Sequence, residues 1–175
     1  MRGLGLALLL GALLIGSSGC KKKRQREPVR LTEQVSLATM LQAGDPGAAV
    51  QFSKGFYAVE NNAWRWAAHA FSVTLHPPRA AAANGARLVL KFAIPDAVFQ
   101  KVGAMKLTAR VNGLDLAPEE YKAAGEQTYS RDVPGNALAG EAVMVDFTVD
   151  KFLPPSPGDP RELAVIVNAV GFEVK

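Results

Sequence analysis

From residue 52 to the C-terminus, apolar residues recur at every second position, and turn-forming residues interrupt the pattern about every ten residues. A period of two places one side chain in a core and the next in solvent, which is typical of a half-buried β-strand. Short strands of this kind indicate an all-β domain with antiparallel pairing. The segments predicted as strands are residues 71–75, 88–94, 105–111, a return strand that starts at 114–116, and residues 127–131, 143–149, 163–167 and 170–174.

Three connections carry turn or loop signals. Asn112-Gly113 predicts a two-residue hairpin turn, because both residues tolerate positive φ angles. Residues 153–160 are rich in proline, which lacks the N–H that a sheet needs, so they predict a surface crossover. Residues 80–85 predict a second long loop, or a helical turn. Seven or eight antiparallel strands with long crossovers in about 125 residues suit a two-sheet β-sandwich, jelly-roll or immunoglobulin-like, better than a closed barrel.

The N-terminus has the features of a secretory signal. Arg2 precedes the apolar segment Gly3–Ile15, and the small residues of 16–19 follow it. As a helix this segment spans about 20 Å, which is shorter than a hydrocarbon core of about 30 Å, so a permanent transmembrane span is the weaker interpretation. The single cysteine of the chain, Cys20, comes next.

Ser17-Ser18-Gly19-Cys20 resembles the lipobox of bacterial lipoproteins, although those proteins usually carry Leu where this chain has Ser17. The resemblance implies a signal peptide over residues 1–19 and a lipidated Cys20 that carries a diacylglycerol and an acylated amine, with palmitate-type chains. Each buried CH₂ contributes about 0.8 kcal/mol, so several chains anchor the protein firmly. Lys21 stands where Asp often retains such proteins in the inner membrane, which favours the outer membrane facing the periplasm. An ordinary signal peptide and a free thiol are the alternative.

A basic segment follows the cysteine. Five of the six residues Lys21–Arg26 are cations, and such a run cannot be buried, so residues 20–30 are predicted to be a solvated tether. Near anionic headgroups each cation adds about 1 kcal/mol of membrane attraction. Residues 21–30 carry +5 and Arg2 adds one charge, so residues 31–175 carry −2 although the whole chain carries +4. This distribution does not favour nucleic acid as a partner.

Between the tether and the β domain the spacing of apolar residues predicts a short helix over residues 31–43. The apolar residues at helical spacing are Leu31, Val35, Ala38 and Leu41. Gly44–Gly47 ends the run, so residues 31–46 are expected to hold the helix and a linker. The β-sandwich domain is then expected over residues 47–175.

Both tryptophans of the chain lie in residues 55–66, GFYAVENNAWRW. If this segment ends in a strand, Trp64 and Trp66 share one face and Arg65 lies on the other. One interpretation buries both indoles in the core, where each contributes about 4 to 6 kcal/mol. A second places one tryptophan in the core and pairs Arg65 with Glu60 across a turn.

The third interpretation is a carbohydrate site. Pyranose rings present C–H faces that stack on aromatic rings, and their hydroxyls hydrogen-bond to carboxylate, amide and guanidinium groups. These residue types stand close together in residues 55–66. The carbohydrate-binding candidates are Tyr57, Glu60, Asn62, Trp64, Arg65 and Trp66.

Several segments together resemble a known module. They are GFYAVENNAWRW, the alternating strand AFSVTL, the turn VNG, and Arg161-Glu162-Leu163 before the apolar terminal strand. They are similar to the small β-sandwich module attached to some bacterial enzymes and glycosyltransferase-like proteins of cell-surface polysaccharide metabolism. The resemblance covers about residues 45–175 and implies a fold similar in outline to carbohydrate-binding jelly rolls.

Catalytic motifs are not found in the sequence. It contains no G-x-S-x-G, no H-E-x-x-H and no phosphate-binding glycine-rich loop. His69 is in phase with the apolar residues of 71–75 and is expected to be satisfied or partly buried, whereas His76 is expected to be exposed. A hydrolase requires one of them within hydrogen-bond reach of a Ser, Asp or Glu. No cofactor or metal is predicted, although a structural Ca²⁺ without a recognisable motif stays an open alternative.

The sequence therefore predicts a lipid-anchored envelope protein whose non-catalytic β-sandwich binds a periplasmic or cell-surface glycan. One alternative is an accessory or assembly subunit that packs on an envelope protein complex through an exposed apolar sheet face. A hydrolase is the other alternative. The predicted partners are the membrane, a glycan and, in the accessory alternative, an envelope protein.

Overall fold

The computed structural model describes residues 36–175. The predicted signal peptide, lipidated cysteine and tether lie outside the described residues. The strands are β1 Met40–Gln42, β2 Phe52–Glu60, β3 Trp64–Leu75, β4 Ala86–Ile94, β5 Met105–Val111, β6 Leu114–Asp115, β7 Glu119–Tyr121, β8 Gly125–Val133, β9 Val143–Val149 and β10 Val165–Val174. The helices are α1 Ala81–Asn84, α2 Asp96–Val102 and the 3-10 turns Pro46–Gln51 and Gly135–Leu138. Neither α-helix in this part of the chain has the length and apolar character of a membrane-spanning segment.

The strands form one curled antiparallel sheet in the order β6-β5-β9-β3-β10-β4-β8, with β1 on β10, β2 on β3 and β7 on β5. Strand β3 belongs to two layers, because Arg65–Ala67 pairs with β10 and Ala70–Leu75 pairs with β9. The first layer is β10-β4-β8 and the second is β9-β5 with β6 and β7. Phe92 of β4 and Tyr121 of β7 bring their rings within 5.0 Å, so the layers face each other. The predicted antiparallel all-β sandwich is confirmed, with its two layers joined through β3.

A single hydrophobic core lies between the layers. Its largest side chains include Tyr129, Phe71, Phe92 and Phe147, which are fully buried. Every second residue of β5 and β9 is buried, as the period of two predicts. All buried core residues fall between residues 41 and 172, and residues 35–175 form one compact unit. This unit has a core of its own and is expected to fold without the N-terminal residues.

Side chains of β8 connect the edges of the two layers. The Tyr129 hydroxyl donates to the Ala117 carbonyl at 2.8 Å, and Arg131 Nε donates to the same carbonyl at 2.9 Å. Ala117 belongs to the connection between β6 and β7, in the second layer. Burial raises the pKa of Tyr129 to about 12, because the phenolate would lose its hydration. The two hydrogen bonds close one side of the sandwich.

The predicted connections are also found in the structure. Asn112 and Gly113 have φ angles of 46° and 86° and form the turn between β5 and β6. Residues 81–84 form the helical turn α1. The proline-rich crossover returns on itself, with Leu153 opposite Leu163 in an isolated bridge.

The predicted helix over residues 31–43 is wrong where the structure describes it, from residue 36 onward. Met40–Gln42 is the strand β1, and it pairs antiparallel with Ala169–Gly171 of β10. Leu41 is fully buried, so the apolar position was identified correctly. Backbone pairing with β10 determines the conformation here in place of the helical spacing of the side chains.

Candidate functional site

The β2–β3 hairpin carries all six predicted binding residues. At its tip, Asn61 and Asn62 have φ angles of 50° and 53°, and the Ala63 N–H donates to the Glu60 carbonyl at 3.1 Å. Asparagine tolerates this left-handed conformation better than most residues, which lets the chain reverse over the three residues 61–63. Asn62 is exposed at the tip.

The hairpin tip rests on the backbone of Gly44. A Cβ at position 44 would lie 2.2 Å from the Asn62 carbonyl oxygen and 3.0 Å from Ala63 Cα. Only a residue without a side chain permits such a close approach. The loop that follows β1 therefore helps to position the tip.

Trp64 and Trp66 form a corner, here called the Trp corner, on the outer face of β3. Strand β3 buries Ala67 and Phe71, and alternation places the two tryptophans on the opposite face. Their ring centroids are 6.4 Å apart and the ring planes meet at 81°, an edge-to-face arrangement. Both indoles are half-buried, so the interpretation that buries both in the core is wrong. Trp66 contacts the core but is not a buried member of it, so neither indole is a core side chain.

The carboxylate of Glu60 lies on the same face as the Trp corner. Glu60 pairs directly with Trp64 across the hairpin, and directly opposed residues of antiparallel strands project from one face. Glu60 Oε1 accepts a hydrogen bond from Arg161 Nη1 at 2.9 Å. The predicted pairing of Glu60 with Arg65 is therefore wrong.

Arg161 is a residue of this site that the sequence analysis missed. Its Nε and Nη2 donate to the two oxygens of Asp159 at 2.9 and 2.8 Å, and its guanidinium lies 5.5 Å from the centroid of the Tyr57 ring. Hydrogen bonds from the Arg161 side chain and backbone lower the pKa of Asp159 to about 2. The same bonds to Asp159 and Glu60 raise the pKa of Arg161. Asp159 and Arg161 are only two residues apart in the sequence, so their ion pair could have been recognised locally.

Tyr57 and Arg65 hold the hairpin against its neighbours. The Tyr57 hydroxyl accepts a hydrogen bond from the Glu162 N–H at 2.9 Å. Arg65 lies on the face opposite the Trp corner, as predicted, where Nε donates to the Ala43 carbonyl at 2.9 Å and Nη1 donates to the Tyr57 carbonyl at 3.1 Å. Because backbone carbonyls engage its guanidinium, Arg65 contributes to the position of the Trp corner and not to its surface.

The two histidines have the environments expected for them. His69 Nδ1 lies 2.6 Å from Glu162 Oε2, and its ring stacks on Phe152 with centroids 4.6 Å apart. His76 is exposed, with Nδ1 2.8 Å from the Glu141 carbonyl oxygen. The His69–Glu162 distance satisfies the requirement of the hydrolase alternative, and among residues 36–175 no serine or threonine hydroxyl hydrogen-bonds to either imidazole. Across residues 36–175 no three His, Cys, Asp or Glu residues are grouped to hold a metal ion.

Five large apolar side chains are exposed among residues 36–175. They come from five different elements, namely the first 3-10 turn, β2, β6, β9 and β10. They are Val50, Val59, Leu114, Met144 and Val174.

No protein-family model matches the sequence, and no curated protein matches it significantly. Among solved structures, the chain is similar to the carbohydrate-binding module CBM36 in complex with calcium and xylotriose, at 11% identity and a TM-score of 0.41, over 77% of this chain and 99% of that chain. The mannan-recognising module TmCBM27 matches at 11% identity and a TM-score of 0.41, over 79% and 98% of the two chains.

The exo-β-1,3-galactanase of Phanerochaete chrysosporium matches at 11% identity and a TM-score of 0.40. The match covers 78% of this chain and 29% of that chain, so this chain spans less than a third of the enzyme. TM-scores near 0.4 say nothing about what this chain binds.

Proposed function

We propose that this chain is a lipid-anchored protein of the bacterial cell envelope whose β-sandwich binds carbohydrate, without catalysis, at the Trp corner. The observation that supports binding is the pair of half-buried indoles at 81° to one another, beside the Glu60 carboxylate. Indoles are large apolar groups, so a surface that leaves two of them partly in water gains free energy when a ligand covers them.

The chemistry of the corner matches a pyranose ring. Because the ring planes are nearly perpendicular, a sugar that lies flat on one indole turns its rim towards the face of the other, so the corner contacts two of its sides. The Glu60 carboxylate can accept hydrogen bonds from sugar hydroxyls. Arg161 already donates a hydrogen bond to Glu60 at 2.9 Å and is itself fixed by its hydrogen bonds to Asp159. The polar side chains therefore lose little conformational freedom when a ligand binds.

The two tryptophans of the site are the only tryptophans of the chain, so intrinsic tryptophan fluorescence reports on the Trp corner alone. We expect a saturable change in emission with at least one neutral oligosaccharide of glucose, mannose, xylose or N-acetylglucosamine. Trp64→Ala should weaken binding by about tenfold, because an aromatic stacking contact is worth about 1.5 kcal/mol. Trp64→Phe keeps an aromatic ring and should retain part of the affinity.

Phe99→Ala is the matched control. Phe99 is half-buried in α2 and packs against the core, so its loss costs packing without touching the Trp corner. Glycan affinity measured by calorimetry should survive Phe99→Ala and not Trp64→Ala. The binding proposal fails if no oligosaccharide alters the emission and Trp64→Ala changes only the thermal unfolding midpoint.

The anchor is tested independently of the ligand. The lipobox-like segment supports cleavage before Cys20 and acylation of that residue, and the position of Lys21 supports the outer membrane, facing the periplasm. Metabolic labelling with a palmitate analogue should mark the protein, and Cys20→Ser should abolish the label and release the protein from membranes. A density gradient of separated membranes should find it in the outer-membrane fraction. An unmodified full-length product that retains Met1 in intact-mass analysis would contradict the anchor.

A further inference from the structure

A separate cleft lies on the outer face of the second layer. Its volume is about 540 Å³, and its floor is made by Thr108 and Arg110 of β5 and by Asp146 and Thr148 of β9. The connection after β6 supplies an apolar wall, which includes Leu116. None of these residues belongs to the β2–β3 hairpin.

The polar floor of the cleft is held in place by its own contacts. Arg110, Asp146 and Ser72 stand in register across β5, β9 and β3. The buried Ser72 hydroxyl donates to Asp146 Oδ1 at 2.5 Å, and Arg110 Nε donates to Asp115 Oδ1 at 2.8 Å. The Arg110 guanidinium lowers the pKa of Asp115, which keeps that carboxylate charged. A ligand therefore meets groups that are already oriented.

The lining of the cleft combines three kinds of surface. The carboxylates accept hydrogen bonds, the threonine hydroxyls donate and accept, and the guanidinium donates. Leu116 and Pro118 add aliphatic surface beside these groups. A sugar unit has the same combination, with aliphatic C–H faces and hydroxyls around its rim. The volume lies within the about 300 to 1,000 Å³ of small-molecule sites.

The charge of the cleft favours an uncharged ligand. Its charged side chains are the carboxylates of Asp115 and Asp146 and the guanidinium of Arg110. A ligand carboxylate would add a third negative charge beside a single cation, and like charges at close range repel.

We propose that this cleft binds an uncharged sugar unit and acts as a second contact for the glycan. The choice of carbohydrate rests on the proposed function. Trp66 and Ser72 lie six residues apart on the outer face of β3, which is about 20 Å of strand. Because β3 passes from the first layer to the second between them, a glycan must follow the curve of the sheet to reach both sites. A glycan that reaches both sites gains affinity, because the second contact forms within an already bound molecule.

Amide chemical shifts of residues 35–175 test the proposal during titration with neutral hexasaccharides of glucose, mannose, xylose and N-acetylglucosamine. Two separate groups of residues should shift and saturate, one around Trp64 and one around Thr108, Arg110 and Asp146. Combining Thr108→Val with Thr148→Val removes both hydroxyls and keeps the β-branched shape. This variant should weaken the response of the cleft residues at least fivefold and leave the indole N–H shifts in place.

Thr128→Val on β8 is the control, because Thr128 is exposed and lies outside the cleft. Asp146→Asn, which keeps the shape of the side chain, is the second variant in case the valines alter the strands. Unfolding midpoints within 2 °C of the parent protein would show that a variant is folded.

Each outcome separates this cleft from the Trp corner. Shifts confined to the Trp corner would overturn the cleft proposal and leave the proposed function intact. Cleft shifts that persist in Trp64→Ala would support it. Cleft shifts that are unchanged in both the valine variant and Asp146→Asn would overturn it, as would stronger binding of oligogalacturonate than of every neutral sugar. If no hexasaccharide shifts either group, both proposals fail.

Discussion

Replacing Gly44 with alanine should displace the hairpin tip that carries Trp64. The added Cβ would lie 2.2 Å from the Asn62 carbonyl oxygen and 2.7 Å from the Asn62 carbonyl carbon. Both atoms are backbone, so no flexible side chain can move aside. The tip must retreat by about 1 Å before the contact becomes an ordinary van der Waals one.

The size of the effect follows from two opposing contributions. Overpacking of this kind costs about 1 to 3 kcal/mol. Alanine also restricts the unfolded chain, which returns about 0.4 to 1 kcal/mol. We expect Gly44→Ala to lower the free energy of unfolding by about 1 to 2 kcal/mol and the unfolding midpoint by roughly 3 to 6 °C. Tryptophan emission should change as well, because Trp64 follows the tip directly.

Two glycine variants serve as controls. At Gly135 an added Cβ would lie 2.1 Å from the Ala82 carbonyl oxygen, which is as close a backbone contact as the one at Gly44. Neither Gly135 nor Ala82 belongs to the β2–β3 hairpin. Gly135→Ala should lose stability and keep the tryptophan emission of the parent protein. At Gly158 nothing lies within 4 Å of the added Cβ, so Gly158→Ala should leave the unfolding midpoint unchanged or slightly raised.

Calorimetry and fluorescence of the four proteins decide the matter. If Gly44→Ala unfolds at the same temperature as Gly158→Ala, the tip does not rest on Gly44 as described. If Gly44→Ala loses stability but its emission and glycan affinity match those of Gly135→Ala, Gly44 supports the fold without positioning the Trp corner.

In a carbon-detected NMR titration, the carboxyl of Asp159 should titrate at about 2, below its ordinary value of 3.8. Because the pKa of Asp159 is lower in the folded than in the unfolded protein, the contribution of this carboxylate to stability is complete above about pH 4 and is lost as the pH falls towards 2. A titration midpoint of Asp159 near 4 would contradict its contact with Arg161. Tyr129 should ionise at about 12 in an ultraviolet titration, and because this folded pKa is raised, stability should fall as the pH rises from about 10 to 12. Tyr129→Phe should remove the part of this alkaline loss that Tyr129 contributes, while Tyr121, whose pKa burial also raises, keeps its own contribution. The variant should cost about 1 kcal/mol at neutral pH, through the lost hydrogen bond to Ala117.

The strands that the sequence predicted best are those that keep one face in the core and one face in solvent from end to end. Residues 105–111 and 143–149 alternate cleanly, because β5 and β9 each bury one face along their full length. Strand β3 was predicted in pieces, since residues 67–70 show no clear alternation. There β3 changes its partner from β10 to β9, so neighbouring positions face different surroundings.

Helix α2 and strand β1 are two of the short elements that the sequence analysis missed, for different reasons. Helix α2 has capping signals, with Asp96 in its first turn and Gly103 at a φ of 70° after its end, but its seven residues are too few to show a helical period. Strand β1 has three residues, and its partner in β10 is more than a hundred residues away. Pairing over that separation leaves no local pattern in the sequence.

The site was predicted only in part, because sequence patterns show local groups of residues and not contacts between distant segments. Aromatic, carboxylate and amide groups stand close together in residues 55–66 and could be recognised locally. The cation that binds Glu60 is Arg161, 101 residues further along the chain, and only the folded crossover brings it there. Arg161 arrives with Asp159 already on its guanidinium, and Lys101 of α2 lines the same cleft as these two residues. The charged groups here therefore come from three separate segments of the chain, a combination that no local pattern in the sequence could show.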